Sequence, residues 1–175
     1  MKTPEQSALQ RLINAARERG VELELGEPAT EVQMSEFSRE FSGTLAAYQT
    51  VLAQHNGMNI AGMRLLSTAE CHWMDRGVAA IQNWGNGDFD AMLTDSNDSG
   101  TVWFCNHAAD VRVKVGVSLA DWLGRLADEI EVYGFVGHPR DLVGGAAASR
   151  TYGNVLSTLS HVNCELTRWV NRNRG

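Results

Sequence analysis

The chain is poor in proline and cysteine, with three of each in 175 residues. It also lacks any run of about 18 consecutive apolar residues, so no membrane-spanning helix is expected. The opening stretch, Met1 to Gln6, is polar and shows no apolar run before a small-residue cleavage site, so no secretory signal is expected. Cys71, Cys105 and Cys164 cannot all pair within one chain, and their sparse spacing excludes a disulfide framework. A reducing, cytoplasmic compartment fits these absences. No Gly-x-Ser-x-Gly nucleophile elbow is present, and no cysteine opens a helix from a Gly-rich turn. Gly85-Asn86-Gly87-Asp88-Phe89-Asp90 begins like a dinucleotide fingerprint. Asp90 stands where the third glycine belongs, and its charge would repel a pyrophosphate.

What is present suits one domain with a small appendage. Apolar residues make up 43% and charged residues 21%, enough to bury a core. The net charge of −6 is unevenly spread. Residues 1–137 carry ten basic and nineteen acidic side chains, while residues 138–175 carry five and two. An acidic body argues against nucleic acid. It fits either solubility alone or a basic protein partner.

Thr3, with Pro4 next and Gln6 at the third position, reads as a capping box opening a helix that Gly20 ends. Thr30 and Gln33 repeat the box before the stripe Met34, Phe37 and Phe41. A third helix is expected over 44–55, ending at His55-Asn56-Gly57. Residues 21–29 read as an extended link, 60–66 as a strand and 67–70 as a capped turn. Four short strands are then expected at 78–84, 88–94, 101–105 and 110–115, joined by polar connections that imply antiparallel hairpins. Phe89, Ala91 and Leu93 alternate with polar neighbours, as do Val111, Val113 and Val115, so each set is expected to face a core. Ser118 and Asp121 open another helix. Five glycines and three consecutive alanines mark 134–153 as a linker before a last helix. The fold class is therefore α+β: an antiparallel meander of about four to five strands with helices packed on one side, plus a C-terminal helix. The expected divisions are 1–29, an N-terminal helix and link; 30–133, the main domain; 134–153, the linker; and 154–175, the last helix.

Candidate chemistry is sparse. Asp95 to Gly100 opens like a calcium loop, but its twelfth position is Asn106 rather than glutamate, and strands flank it; a polar hairpin turn is the plainer reading. Cys71, His72, Cys105 and His107 are soft ligands in the right number for zinc but at the wrong spacing. Asp88 and Asp90 are expected on one strand face, as a solvated acidic pair rather than an acid–base pair. Trp103 alternates with Val102 and Phe104, so it should point away from the face they bury. There it is either an interaction anchor or covered by the C-terminal segment. No catalytic, cofactor or metal residue is assigned. The candidate partner-binding residues are Trp84, Asp88, Asp90, Asp95, Asp98 and Trp103.

In order along the chain stand Phe37 and Phe41, Tyr48-x-x-x-Leu52-x-x-His55-Asn56-Gly57, Gly62-Met63-Arg64-Leu65-Leu66-Ser67-x-x-Glu70, Trp84-Gly85-Asn86-Gly87-Asp88, Asp95…Gly100-x-Val102 and Ser118-x-x-x-Trp122-Leu123-x-x-Leu126. Their order and spacing, over about residues 30–131, resemble the SUKH superfamily of Smi/Knr cell-wall-regulator-like domains. Two departures stand out: Gly43-Thr44-Leu45 where the family often shows Leu-Pro, and the segment 138–175 beyond the common pattern. The resemblance implies a non-enzymatic α+β binding domain. Bacterial members are typically immunity proteins that neutralise a cognate toxin; fungal relatives act as interaction hubs. The expected partner is a protein, a basic toxin domain in the leading reading, with no nucleic acid and no membrane. A regulatory scaffold without a toxin, and a small metal-dependent enzyme using the Cys/His group, are the rival expectations.

Overall fold

A computed structural model describes residues 1–94, 99–107 and 111–139. In chain order the elements are α1 (Pro4–Arg19), β1 (Leu23–Leu25), α2 (Glu31–Glu40), α3 (Ala46–Leu52), β2 (Met58–Ile60), β3 (Met63–Leu65), β4 (His72–Asp75), β5 (Val78–Asn83), β6 (Phe89–Leu93), β7 (Val102–Asn106), β8 (Val111–Gly116) and α4 (Leu119–Tyr133). The class is α+β with an antiparallel sheet. That sheet has eight strands, not four to five. The extra strands are short ones. β1 lies inside the stretch expected to be a link, and the single strand expected over 60–66 is a hairpin. β2 and β3 turn on Ala61 and Gly62, which have φ of +53° and +81°. Two positive φ values in a two-residue turn match the sheet's twist, but alanine seldom signals one.

The helix starts form where the capping residues stand. Thr3 accepts from the Gln6 backbone N–H at 3.2 Å while the Gln6 side chain accepts from the Thr3 N–H at 3.0 Å. Thr30 and Gln33 close the same reciprocal box. Ser118 Oγ accepts from Asp121 N at 3.1 Å to open α4.

Residues 1–29 are no appendage. Leu9, Leu12, Ile13 and Ala16 of α1 share one buried core with Trp122, Leu123, Leu126 and Ile130 of α4, and β1 pairs with β2 at the sheet edge. Arg11 adds a forked ion pair to α4, reaching Asp128 at 2.5 Å and Glu131 at 2.6 Å; these groups are exposed, so the pair adds little stability. Tyr48, fully buried on α3, places its hydroxyl 2.7 Å from Leu66 O and 2.8 Å from Ile81 O. That one proton ties the helix layer to the junction of β3 and β5. Gly116 lets β8 approach α4, since a Cβ there would lie 2.7 Å from that of Trp122. Of the expected linker, residues 134–139 fold back instead: Gly134 caps α4, Val136 packs on the core and Pro139 is buried. The remainder of that linker and the last helix lie outside the described residues.

Leu12 is 0% exposed at the contact between α1 and α4. Leu12→Ala should lower stability by about 2–5 kcal/mol, seen as a lower urea midpoint at unchanged slope. Val32→Ala, at a site 67% exposed, should stay within about 0.5 kcal/mol. An unmoved midpoint for Leu12→Ala would mean that α1 is not part of the cooperative unit.

Candidate functional site

Strand register sorts the side chains by face. One cross-strand row runs Leu25, Met58, Leu65, Gln82, Asp90, Phe104, Val113. It faces the helices, and its middle holds two polar side chains. The neighbouring outward row runs Glu24, Asn59, Arg64, Asn83, Phe89, Cys105, Arg112. Strand β6 is therefore inverted relative to the sequence expectation. Asp90 and Met92 point inward, both 1% exposed, while Phe89, Ala91 and Leu93 point to the outer face. Val113 and Val115 face the core as expected.

Asp90 sits under α4. Its Oδ2 accepts from Trp122 Nε1 at 3.2 Å, and its backbone N–H donates to Gln82 Oε1 at 3.3 Å. The Trp84 indole also faces this carboxyl without closing a good hydrogen bond: Trp84 Nε1, Gln82 Nε2 and Asp90 Oδ1 are all buried and unpartnered. Burial in this setting pushes the Asp90 pKa up to about 7, against the pull of the two indole N–H groups; Glu129 raises it further and Arg125 opposes. Glu129, on α4, is also raised, chiefly by burial, although Gly137 N donates to it at 2.9 Å.

Asp88 closes the turn between β5 and β6. It is 0% exposed. Its backbone N–H donates to Asn86 Oδ1 at 3.0 Å, and its carbonyl accepts from Trp84 N at 3.0 Å. Its Oδ1 accepts both the His107 backbone N–H, at 3.0 Å, and His107 Nδ1, at 2.7 Å. A carboxylate only accepts, so Nδ1 carries the proton. Oδ2 accepts from Asn86 Nδ2 at 3.2 Å and lies 3.4 Å from His138 Nε2. The His138 ring packs against Trp84, at 4.8 Å between centroids, and against Phe104, at 5.4 Å. One carboxylate thus ties the β5–β6 turn, the β7–β8 turn and the segment after α4 together.

A buried carboxylate orienting a half-exposed imidazole is two thirds of a nucleophilic triad. The described thiols do not supply the rest. Cys71 packs in the core and Cys105 on the outer face. Burial pushes the Cys105 thiol up to about 11 and the Cys71 thiol higher still, which keeps both protonated and poorly nucleophilic. The Cys71, His72, Cys105 and His107 group is not brought together. Among the described residues no three of His, Cys, Asp and Glu are arranged to hold a metal ion.

Of the six candidate partner-binding residues, Asp95 and Asp98 lie outside the described residues. Asp88 and Asp90 are withdrawn as contacts, because both are buried and committed to internal partners. Trp84 is half-buried on the helix side of the sheet. Trp103 points outward as expected; its Nε1 donates to Thr101 Oγ1 at 2.8 Å, and Lys114 Nζ sits 5.4 Å from its ring centroid. These residues do not form one face. An open groove of about 520 Å³ follows β4, lined by Thr44, Trp73, Asp75, Arg76, Gly77 and Thr94, and none of the four described candidates lines it. Gln82, Asn86, His107, Trp122, Glu129 and His138 were missed. Only Asn86 and Trp122 had a signal, inside the quoted motifs.

No protein-family model matches the chain, and no curated protein matches it. No described helix is long and apolar enough to cross a membrane.

A carboxyl whose pKa is higher folded than unfolded binds more protons in the folded state. Its contribution is full below about pH 4 and is lost as pH rises through about 7. Urea unfolding at pH 5 and pH 8 should show this loss in the wild type. Asp90→Asn should flatten that part of the profile. An unchanged slope in the variant would mean that Asp90 titrates normally.

Proposed function

We propose that the chain is a non-enzymatic protein-binding domain of the immunity kind, which neutralises a toxin by occupying its surface. The motif order that resembles the SUKH superfamily supports the class. The observation that carries the binding reading is the outer face of β5–β8. All the helix residues of the core pack on the other face. The outer face holds only a small satellite cluster of Val78, Ala91 and Cys105 with Leu93, beside half-buried Phe89 and Trp103. Aromatic and aliphatic side chains left on a rigid sheet are what interface centres use. The most motif-like stretch, Trp84 to Asp88, is occupied by its own internal hydrogen bonds, which supports a structural role for it over a catalytic one.

Co-expression with the product of the adjacent open reading frame tests this. The expected outcome is restored growth of cells carrying that toxin and a stoichiometric complex on gel filtration. A protein that binds no neighbouring gene product and rescues no toxin would refute the immunity reading and leave the regulatory scaffold in its place.

A further inference from the structure

We infer that the outer face of β5–β8 docks an acidic protein surface with an apolar centre. The inference rests on the protein-binding reading above and names its surface and the chemistry of its partner.

The face is built from cross-strand rows. Ala91, Trp103 and Lys114 form one, and Phe89, Cys105 and Arg112 the next. Ala91 and Cys105 are 0% and 6% exposed, so they make a low floor. Phe89, Leu93 and Trp103 rise around it. Trp103 is held on both sides, by the Thr101 hydroxyl and by Lys114. A side chain already fixed loses little freedom on binding.

The charges along this face are Arg112 and Lys114 on β8, with Asp75 at 3.4 Å from Arg112. Asp75 and Arg112 are both exposed, and such a pair exchanges readily for another. The carboxylates expected to make this region acidic, Asp88 and Asp90, are buried away from it. The apolar floor is therefore bordered by a surplus of cations.

That surplus decides between occupants. Residues 138–175 carry five basic and two acidic side chains, so the chain's own last segment meets like charge here. A second copy placed symmetrically would set Arg112 and Lys114 against their equivalents. Nucleic acid needs cations tracking many phosphates, and here two stand on a body of net charge −6. An acidic protein surface meets neither objection.

The full chain, labelled with 15N, is titrated with a peptide of about twelve alternating acidic and apolar residues, and separately with an oligothymidine of similar length. The peptide should shift the amides of β6–β8 and the Trp103 indole N–H, and the oligothymidine should leave them in place. In parallel, the affinity for the toxin encoded next door is measured for the wild type, Trp103→Ala and Lys114→Glu. Each substitution should weaken it by about thirtyfold, with an unchanged circular dichroism spectrum; Arg112→Glu serves where either variant fails to fold. Three results would overturn the surface: peptide shifts absent or confined to the helices, oligothymidine shifts on β6–β8 in their place, or wild-type toxin affinity in the variants. In the last case the immunity reading stands. A wild-type protein that binds no toxin sinks that reading instead, and the peptide map then decides the surface alone.

Discussion

The helices cover one face of the sheet, and most of the molecule follows from that asymmetry. Consecutive strand residues point to opposite sides, so covering a single face assigns every second side chain to a dry core and the rest to a different environment. The inner rows fill with Met58, Leu65, Met92, Phe104 and Val113 against α1 and α4. An outer row then has to be built from residues that tolerate water on one side, and here it is built from Asn59, Arg64, Asn83 and Arg112. Small residues at Ala91 and Cys105, sheltered by Phe89 and Trp103, let the outer face carry apolar surface while exposing little of it.

Local chemistry was legible where one or two neighbouring residues determine it. The capping pairs Thr3–Gln6, Thr30–Gln33 and Ser118–Asp121 close in the structure as their spacing implies. The strands of the meander fall where short polar connections separate them. What could not be read was set by distant partners. Strands of three residues, such as β1 to β3, are too short to show alternation; only pairing defines them. Strand β6 has apolar residues on both faces, since Met92 competes with Phe89, Ala91 and Leu93. Which set enters the core is decided by register with Gln82 and Phe104, not by the strand itself. Asp90 went inward with Met92, and the expected acidic surface pair became a buried one. His138 carried no signal at all, because its contact with Asn86 spans 52 positions of the chain.

The buried polar residues now have separate roles. Asp88 works as a knot: it gathers two turns and the segment after α4, and its oxygens are engaged by backbone and side-chain donors. Such a satisfied carboxylate specifies one arrangement of loops at modest net energy. Asp90 is different. Its Oδ1 lacks a partner, and two donors beside it, Gln82 Nε2 and Trp84 Nε1, lack one as well. Near neutral pH it is therefore poised between charged and neutral forms beneath Trp122. A change there is felt by α4, because the indole of Trp122 is both a core side chain and the donor to the carboxyl.

These roles bear on what the motif resemblance can mean. Trp84, Asn86 and Asp88 shape a turn and lock it to its neighbours; His55, Asn56 and Gly57 do the same elsewhere. The His55 ring contacts Gly26 O at 3.0 Å, Asn56 Oδ1 accepts from Thr68 N at 2.7 Å, and Gly57 O accepts from Gly26 N at 2.9 Å. Residues used this way are fixed by the fold and are poor carriers of partner choice. A domain of this architecture is free to vary the outer face of its sheet, where Leu93, Trp103, Arg112 and Lys114 hold no turn and cap no helix. Specificity for one partner among many then comes from which aromatic stands on the apolar floor and which charges border it. The same scaffold can serve different partners without any change in the residues that fold it.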